Sequence, residues 1–308
     1  MKCLNARAFF ATVGLLVALS CGLAAAQGVS APPPAPKQAS INGVDLVYLE
    51  QGQGAPVVFV HGAFMDNRAW EGQREAVAQH YRYFALTQRY FGTAPWPDGG
   101  EKFSLATHAD DLAVFIRELK VGPVHLVGWS YGGAIALLLA VQHPELVKSL
   151  FVHEPAGIAT FVTDAADAKI LGEDRRDIVA PAASASKVGD TAGAVRLFFD
   201  GVNGQPGIFE TLPSAARSML LDNARTIPLL FAAPPPPAIS CAQLGQIKVP
   251  VVIAKGELTR PSYRILADTA SRCIPGSRLA VVSQGRHAAP SVSPAAFNEV
   301  LLGFLKNS

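Results

Sequence analysis

Gly128-Trp129-Ser130-Tyr131-Gly132 sets a serine between two glycines in a G-x-S-x-G pattern. With 27 glycines in the chain, the pattern alone carries little. Its flanks carry more. The apolar run Val124 to Val127 predicts a buried strand entering it. The Ala- and Leu-rich stretch Tyr131 to His143, stopping before Pro144, predicts a helix leaving it. On such a corner a serine hydroxyl stands exposed on a strained turn. A side chain at position 128 or 132 would collide where strand and helix cross, so glycine fits both. A serine hydroxyl is a weak nucleophile. It needs a base to take its proton and a carboxylate to orient that base. The histidines after Ser130 are His143, His153 and His287, and the carboxylates at the ends of apolar runs are Glu154 and Glu257.

These residues need a scaffold. Asn42-Gly43 predicts the turn of an early hairpin within Ile41 to Leu49. Pro56–Val60, Tyr83–Leu86, Val124–Val127, Ser149–Val152, Val249–Ala254 and Leu279–Val282 read as buried strands. Ser104 to Leu119, Tyr131 to His143 and Phe297 to Leu305 read as helices. Buried strands alternating with helices predict an α/β fold with a doubly wound, mainly parallel sheet. Residues 155–239 hold no buried-strand run. They carry short amphipathic patches, such as Val195–Phe199 and Ala216–Leu221, and end in Pro234-Pro235-Pro236-Pro237. This stretch is expected to be an inserted helical lid, with residues 38–154 and 240–308 as the core. Ligands of such sheets bind at the C-terminal strand ends, so a lid there would supply the other wall of a pocket.

From Ile41 onward the chain resembles the α/β-hydrolase superfamily. Val58-Phe59-Val60-His61-Gly62-Ala63-Phe64 is similar to that family's strand and oxyanion loop. Arg89-Tyr90-Phe91-Gly92 is similar to its R-G-x-G turn with the first Gly replaced, and Gln88 stands near where an Asp is common. The resemblance implies Ser130 as nucleophile, His287 as base, and the backbone N–H groups of Ala63 and Tyr131 as oxyanion donors, with Phe64 a substitute for Ala63. His61 then supports the loop. The family's commoner acid follows the Val249–Ala254 strand in a G-x-x-D pattern, where this chain has Gly256-Glu257-Leu258-Thr259. Threonine does not stabilise an imidazolium as a carboxylate does. Glu154, after the Ser149–Val152 strand, resembles the acid of the subgroups that include haloalkane dehalogenases and zearalenone lactonases. Glu154 is the preferred acid and Glu257 the alternative. A serine at position 130, where dehalogenases and epoxide hydrolases of this fold carry an aspartate, points to a carboxylic ester or lactone as the small-molecule substrate. A cofactor-independent lyase, C–C hydrolase or oxygenase, and a non-catalytic binding module, are the alternatives. Phe64 and Trp129 are expected to shape the substrate pocket, with core packing as their other reading. No cofactor and no metal are implied.

Net charge is +2, from 26 basic and 24 acidic residues, which gives no reason to expect nucleic acid or an anionic membrane as partner. Lys2 and Arg7, the apolar stretch Phe9 to Leu19, and Ala24-Ala25-Ala26 form the pattern of a cleaved signal peptide over residues 1–26; an uncleaved anchor is the competing reading. Residues 27–37 read as a Pro-rich linker. The mature protein is expected to be exported, periplasmic or secreted, without stable membrane association. Export leaves Cys241 and Cys273, either a disulfide or two buried thiols. The bridge would close a loop of about 33 residues, worth roughly 3–4 kcal/mol in the chain-entropy model.

Overall fold

The computed structural model describes residues 33–308. The expected signal peptide and the first part of the linker lie outside them. Eight strands form one sheet: β1 (Lys37–Ile41), β2 (Val44–Gln51), β3 (Pro56–Val60), β4 (Arg82–Leu86), β5 (Val124–Trp129), β6 (Val147–His153), β7 (Val251–Gly256) and β8 (Arg278–Val282). Their order is β1-β2-β4-β3-β5-β6-β7-β8. β1, β2 and β4 pair antiparallel; every pairing from β4 through β3 to β8 is parallel.

Among the described residues twelve α-helical segments accompany the strands: α1 (Glu71–Ala78), α2 (Leu105–Leu119), α3 (Tyr131–Gln142), α4 (Ala165–Lys187), α5 (Thr191–Asn203), α6 (Ile208–Thr211), α7 (Ser214–Asp222), α8 (Ile227–Ala232), α9 (Cys241–Leu244), α10 (Pro261–Cys273), α11 (Ala289–Val292) and α12 (Pro294–Leu305). Alternate strand residues feed two cores. Val58, Val60, Leu126, Leu150 and Ile253 pack with α2, α3 and α10 on one face. Val57, Phe59, Val127, Phe151 and Val252 pack with α1 and α12 on the other. With both faces covered, the strands are continuous apolar runs rather than alternating ones.

α4 to α8 fall between β6 and β7, where no strand was expected. The short patches foreseen there belong to longer elements. Val195–Phe199 lies within α5, and α4 runs for 23 residues with Pro181 inside it. α1 and α10 were not foreseen. α9 and α10 are joined by a bond between Cys241 and Cys273, whose Cα atoms are 4.9 Å apart. Among the described residues no helix is long and apolar enough to cross a membrane.

Candidate active site

Parallel strands end on the same side, and the ends of β5, β6 and β7 are neighbours in register: Trp129 lies beside His153, and His153 beside Ala254. Ser130 follows β5 directly, with φ 56° and ψ −117°. Glu154 follows β6 directly, at φ 45°. Left-handed backbone costs a non-glycine residue on the order of 1 kcal/mol or more, so each turn is held by its surroundings. Here the Ser130 N–H donates to the His153 carbonyl at 2.9 Å and the Glu154 N–H to the Ala254 carbonyl at 3.0 Å.

The structure brings three predicted residues into one chain of contacts. His287 Nε2 is 2.9 Å from Ser130 Oγ, and His287 Nδ1 is 2.7 Å from Glu154 Oε2. Glu154 is fully buried, and its other oxygen accepts the Gly256 N–H at 2.7 Å. Burial pushes the Glu154 carboxyl up. The His287 hydrogen bond, the neighbouring imidazoles of His153 and His287 and the Gly256 amide outweigh it and hold the carboxyl below the usual range. The group is therefore a carboxylate near neutral pH, able to orient an imidazole and to balance its positive charge.

Other candidates stand elsewhere. Glu257 is exposed and accepts the Gln284 N–H at 2.8 Å, bracing the loop after β8. Thr259 Oγ1 is buried and finds no partner. His143 stands at a surface turn, its Nδ1 3.1 Å from the Arg117 guanidinium. His153 is fully buried, edge-on to Phe297, and burial pushes its imidazole down to about 4, keeping it neutral. His61 is buried with Nδ1 donating to the Gly62 carbonyl at 2.8 Å and Nε2 accepting the Gln88 N–H at 3.1 Å. Burial likewise lowers it to about 4. It shapes the loop that carries Ala63.

Close backbone approach places that loop beside Ser130. A Cβ on Gly132 would stand 2.2 Å from the Val60 carbonyl oxygen and 2.5 Å from that of His61. Only glycine lets α3 begin this near to the end of β3. A Cβ on Gly62 would stand 3.3 Å from Ser130 Cβ. Among the described residues, the N–H groups of Ala63 and Tyr131 donate to no other backbone group. Such free donors are what a developing oxyanion requires. The Tyr131 side chain turns away, its hydroxyl 2.8 Å from buried His108 Nδ1.

A cavity of about 20 Å³ remains over Ser130. That is room for about one water. Phe64 and Trp129 line it, together with Val195, Phe198 and Phe199 of α5. Phe64 meets Phe198 edge to face at 4.8 Å, closing the gap between sheet and helical segment. Trp129 is fully buried and packs on Trp70, so it is core and wall at once. Among the described residues no cluster of three or more His, Cys, Asp or Glu is arranged to hold a metal.

Sequence reasoning missed several supports. Arg89 and Asp111 form a buried bidentate pair beneath the Arg89–Gly92 turn, both contacts 2.7 Å. Tyr90, standing where the resemblance expects Gly, takes φ 72°. Two buried asparagines of the helical segment reach the core. Asn203 accepts the Ala288 N–H at 2.9 Å, next to His287. Asn223 donates to Asp66 at 2.9 Å and accepts the Gly92 N–H at 2.6 Å. The only signal in the sequence is a polar residue closing an amphipathic stretch, which is too common to single out.

The family model described as the alpha/beta hydrolase fold matches residues 55–187. A pimeloyl-[acyl-carrier protein] methyl ester esterase from Aeromonas salmonicida is 35% identical over 99 residues, 32% of this chain and 37% of that protein. A 2-hydroxy-6-oxo-6-(2'-aminophenyl)hexa-2,4-dienoic acid hydrolase from Metapseudomonas resinovorans is 34% identical over 120 residues, 38% of this chain and 41% of that one. The chain thus aligns with well under half the length of these relatives. An esterase from Exiguobacterium antarcticum superposes with a TM-score of 0.68 at 21% identity, covering 88% of this chain and all of that one. At that identity the likeness is one of fold.

Proposed function

For a chain that belongs to the α/β-hydrolase superfamily, we propose the activity of a serine hydrolase acting on a carboxylic ester or lactone. The observation that carries this reading is the unbroken Ser130–His287–Glu154 contact chain, ending in a buried carboxylate. His287 Nε2 takes the Ser130 proton as Oγ attacks the carbonyl carbon. The tetrahedral oxyanion accepts the Ala63 and Tyr131 N–H groups, and Glu154 balances the imidazolium. His287 then protonates the departing alcohol oxygen, leaving an acyl group on Ser130. Water, deprotonated by the same base, releases the acid and restores the serine.

The dienoic acid hydrolase among the relatives supports a second reading, hydrolysis of a carbon–carbon bond beside a ketone. Export supports the pairing of Cys241 with Cys273, because thiols stay oxidised outside the cytosol. We take residues 1–26 as a removed leader and residues 155–239 as a lid.

The test is p-nitrophenyl ester turnover by the chain from Gln27 onward, with Ser130→Ala, Glu154→Gln and Glu257→Gln. Loss in the first two and retention in the third is the expected result. Loss in Glu257→Gln alone would move the acid to the β7 loop. Full activity in Ser130→Ala would end the serine-hydrolase reading. Labelling by a fluorophosphonate without ester turnover would favour the carbon–carbon substrate.

A further inference from the structure

We infer that Tyr263 positions the base: its ring lies flat on the His287 imidazole and keeps that imidazole in the plane in which it meets Ser130 and Glu154. The inference rests on the serine-hydrolase reading above. The two rings are 3.8 Å apart between centroids and 16° from parallel, and Tyr263 is 5% exposed. His287 is held at both nitrogens, by Glu154 and by Ser130. Two such contacts lie in the ring plane and, with the bond to Cβ, define it, but hydrogen bonds resist out-of-plane rocking only weakly. A flat neighbour against one face limits that rocking. Trp129 does not do this: it stands 6.2 Å away and tilted by 57°.

The same face has an electrostatic effect. His287 becomes a cation during acyl transfer, and an aromatic face attracts a cation most where water is excluded. It is the ring, not the phenol hydroxyl, that supplies both effects.

Tyr263 is itself clamped from the helical segment. It stands in the first turn of α10, after Arg260, Pro261 and Ser262. Ile178 of α4 and Val202 of α5 share one apolar cluster with it. Asp174 of α4 accepts Arg260 Nε at 2.7 Å and also the Ser262 hydroxyl, while Arg260 Nη1 donates to the Gly201 carbonyl at 3.1 Å. The placement of α4 and α5 therefore reaches the base through one tyrosine.

The test compares Tyr263→Leu and the conservative Tyr263→Phe with the parent and with Ser130→Ala. It reads kcat and KM on a p-nitrophenyl ester, thermal melting, and the rate at which a fluorophosphonate labels Ser130. Labelling needs the base but no particular acyl group. Tyr263→Leu is expected to lower kcat and the labelling rate about tenfold, with KM within about twofold. Tyr263→Phe is expected to rescue both rates to within about twofold. Where the Leu variant does not fold, Tyr263→Met carries the same measurement. Unchanged rates in the Leu or Met variant, an equal loss in Leu and Phe, or a change confined to KM would overturn the inference, with inactive Ser130→Ala leaving the hydrolase reading intact. Turnover or labelling that survives Ser130→Ala, or no labelling of the parent, would overturn that reading and this inference with it.

Discussion

Ten of the twelve residues of α3, which packs against the sheet behind Ser130, are buried; of the 23 residues of α4 only Asp174, Ile178 and Ala182 are. The sheet layer is held by apolar burial on both faces, worth about 25 cal/mol per Å² of surface removed from water. Residues 155–239 share the sheet's apolar cluster through side chains such as Val195, Phe199 and Phe209, while α4 buries little, and they are also tied at polar points: Asn203 on Ala288, Asn223 on Asp66 and Gly92, Asp174 on Arg260 and Ser262. A buried hydrogen bond contributes about 1 kcal/mol net, and several times that is at stake when one partner is removed. The difference separates the tasks. The rim of the sheet holds Ser130, His287 and Glu154 at hydrogen-bonding distances. The helices of residues 155–239 lie over them and leave a cavity that holds about one water.

If this division is right, changes at the rim strike kcat and changes in the cover strike KM. Ser130→Ala should cost about 10⁴-fold or more in kcat, and Glu154→Gln about 10³–10⁴-fold, with melting temperature little altered. A Glu154→Gln enzyme within tenfold of the parent would remove the carboxylate from the mechanism. Reducing the Cys241–Cys273 bond should lower unfolding free energy by about 3 kcal/mol, read from urea melts with and without dithiothreitol. That loss should leave KM unmoved, because neither cysteine lines the cavity.

A pH series tests the sheet side. Burial holds His61, His125 and His153 down to about 4, and His108 to about 3. Their unfolded forms titrate near 6.5, so between about 6.5 and 4 the unfolded chain binds more protons than the folded one. Stability from these groups is present above pH 6.5 and is lost as pH falls towards 4. The expected slope is about 1.4 kcal/mol per pH unit for each independent histidine. A melting temperature flat over that range would refute their buried neutral state.

The cover is tested last. Asn223→Leu should destabilise by about 1–3 kcal/mol, since it leaves the Gly92 N–H unpartnered and Asp66 short of a donor. KM should rise by a few fold. Phe198→Ala removes one ring of the Phe64–Phe198 contact and should lower KM for longer acyl chains by a few fold, with kcat for acetate unchanged. An equal effect on acetate would place Phe198 in the chemistry rather than over the entrance.

Much of the sheet was legible because both its faces are covered. A strand buried on two sides reads as a near-continuous apolar run: Pro56–Val60 is one, and Val124–Trp129 is broken only by His125, whose Nδ1 meets Ser149 Oγ. The Ser130 corner was legible for a related reason: glycines at 128 and 132 record a close crossing of strand and helix. The Asn42-Gly43 turn was written in positive φ, which both residues take. α10 carried a readable signal that went unread. Leu266, Ala267, Ala270 and Cys273 recur at helical spacing, but among Arg, Ser, Thr and Asp.

Residue types and chain order by themselves narrowed the candidates to Ser130, three histidines and two carboxylates, because those depend on chemistry and on which strand each residue follows; the resemblance then singled out His287. The choice between the acids belongs to three dimensions. Glu154 and Glu257 both end parallel strands, yet the left-handed turn at Glu154 aims its carboxylate at His287, while Glu257 points to the Gln284 loop. Tyr263 on His287 and Asn203 beside it are likewise contacts between residues far apart in the chain. Local sequence records local torsion and burial. Which distant side chains meet is decided only when helices and sheet pack, because a contact depends on ångström-scale placement that no single segment encodes.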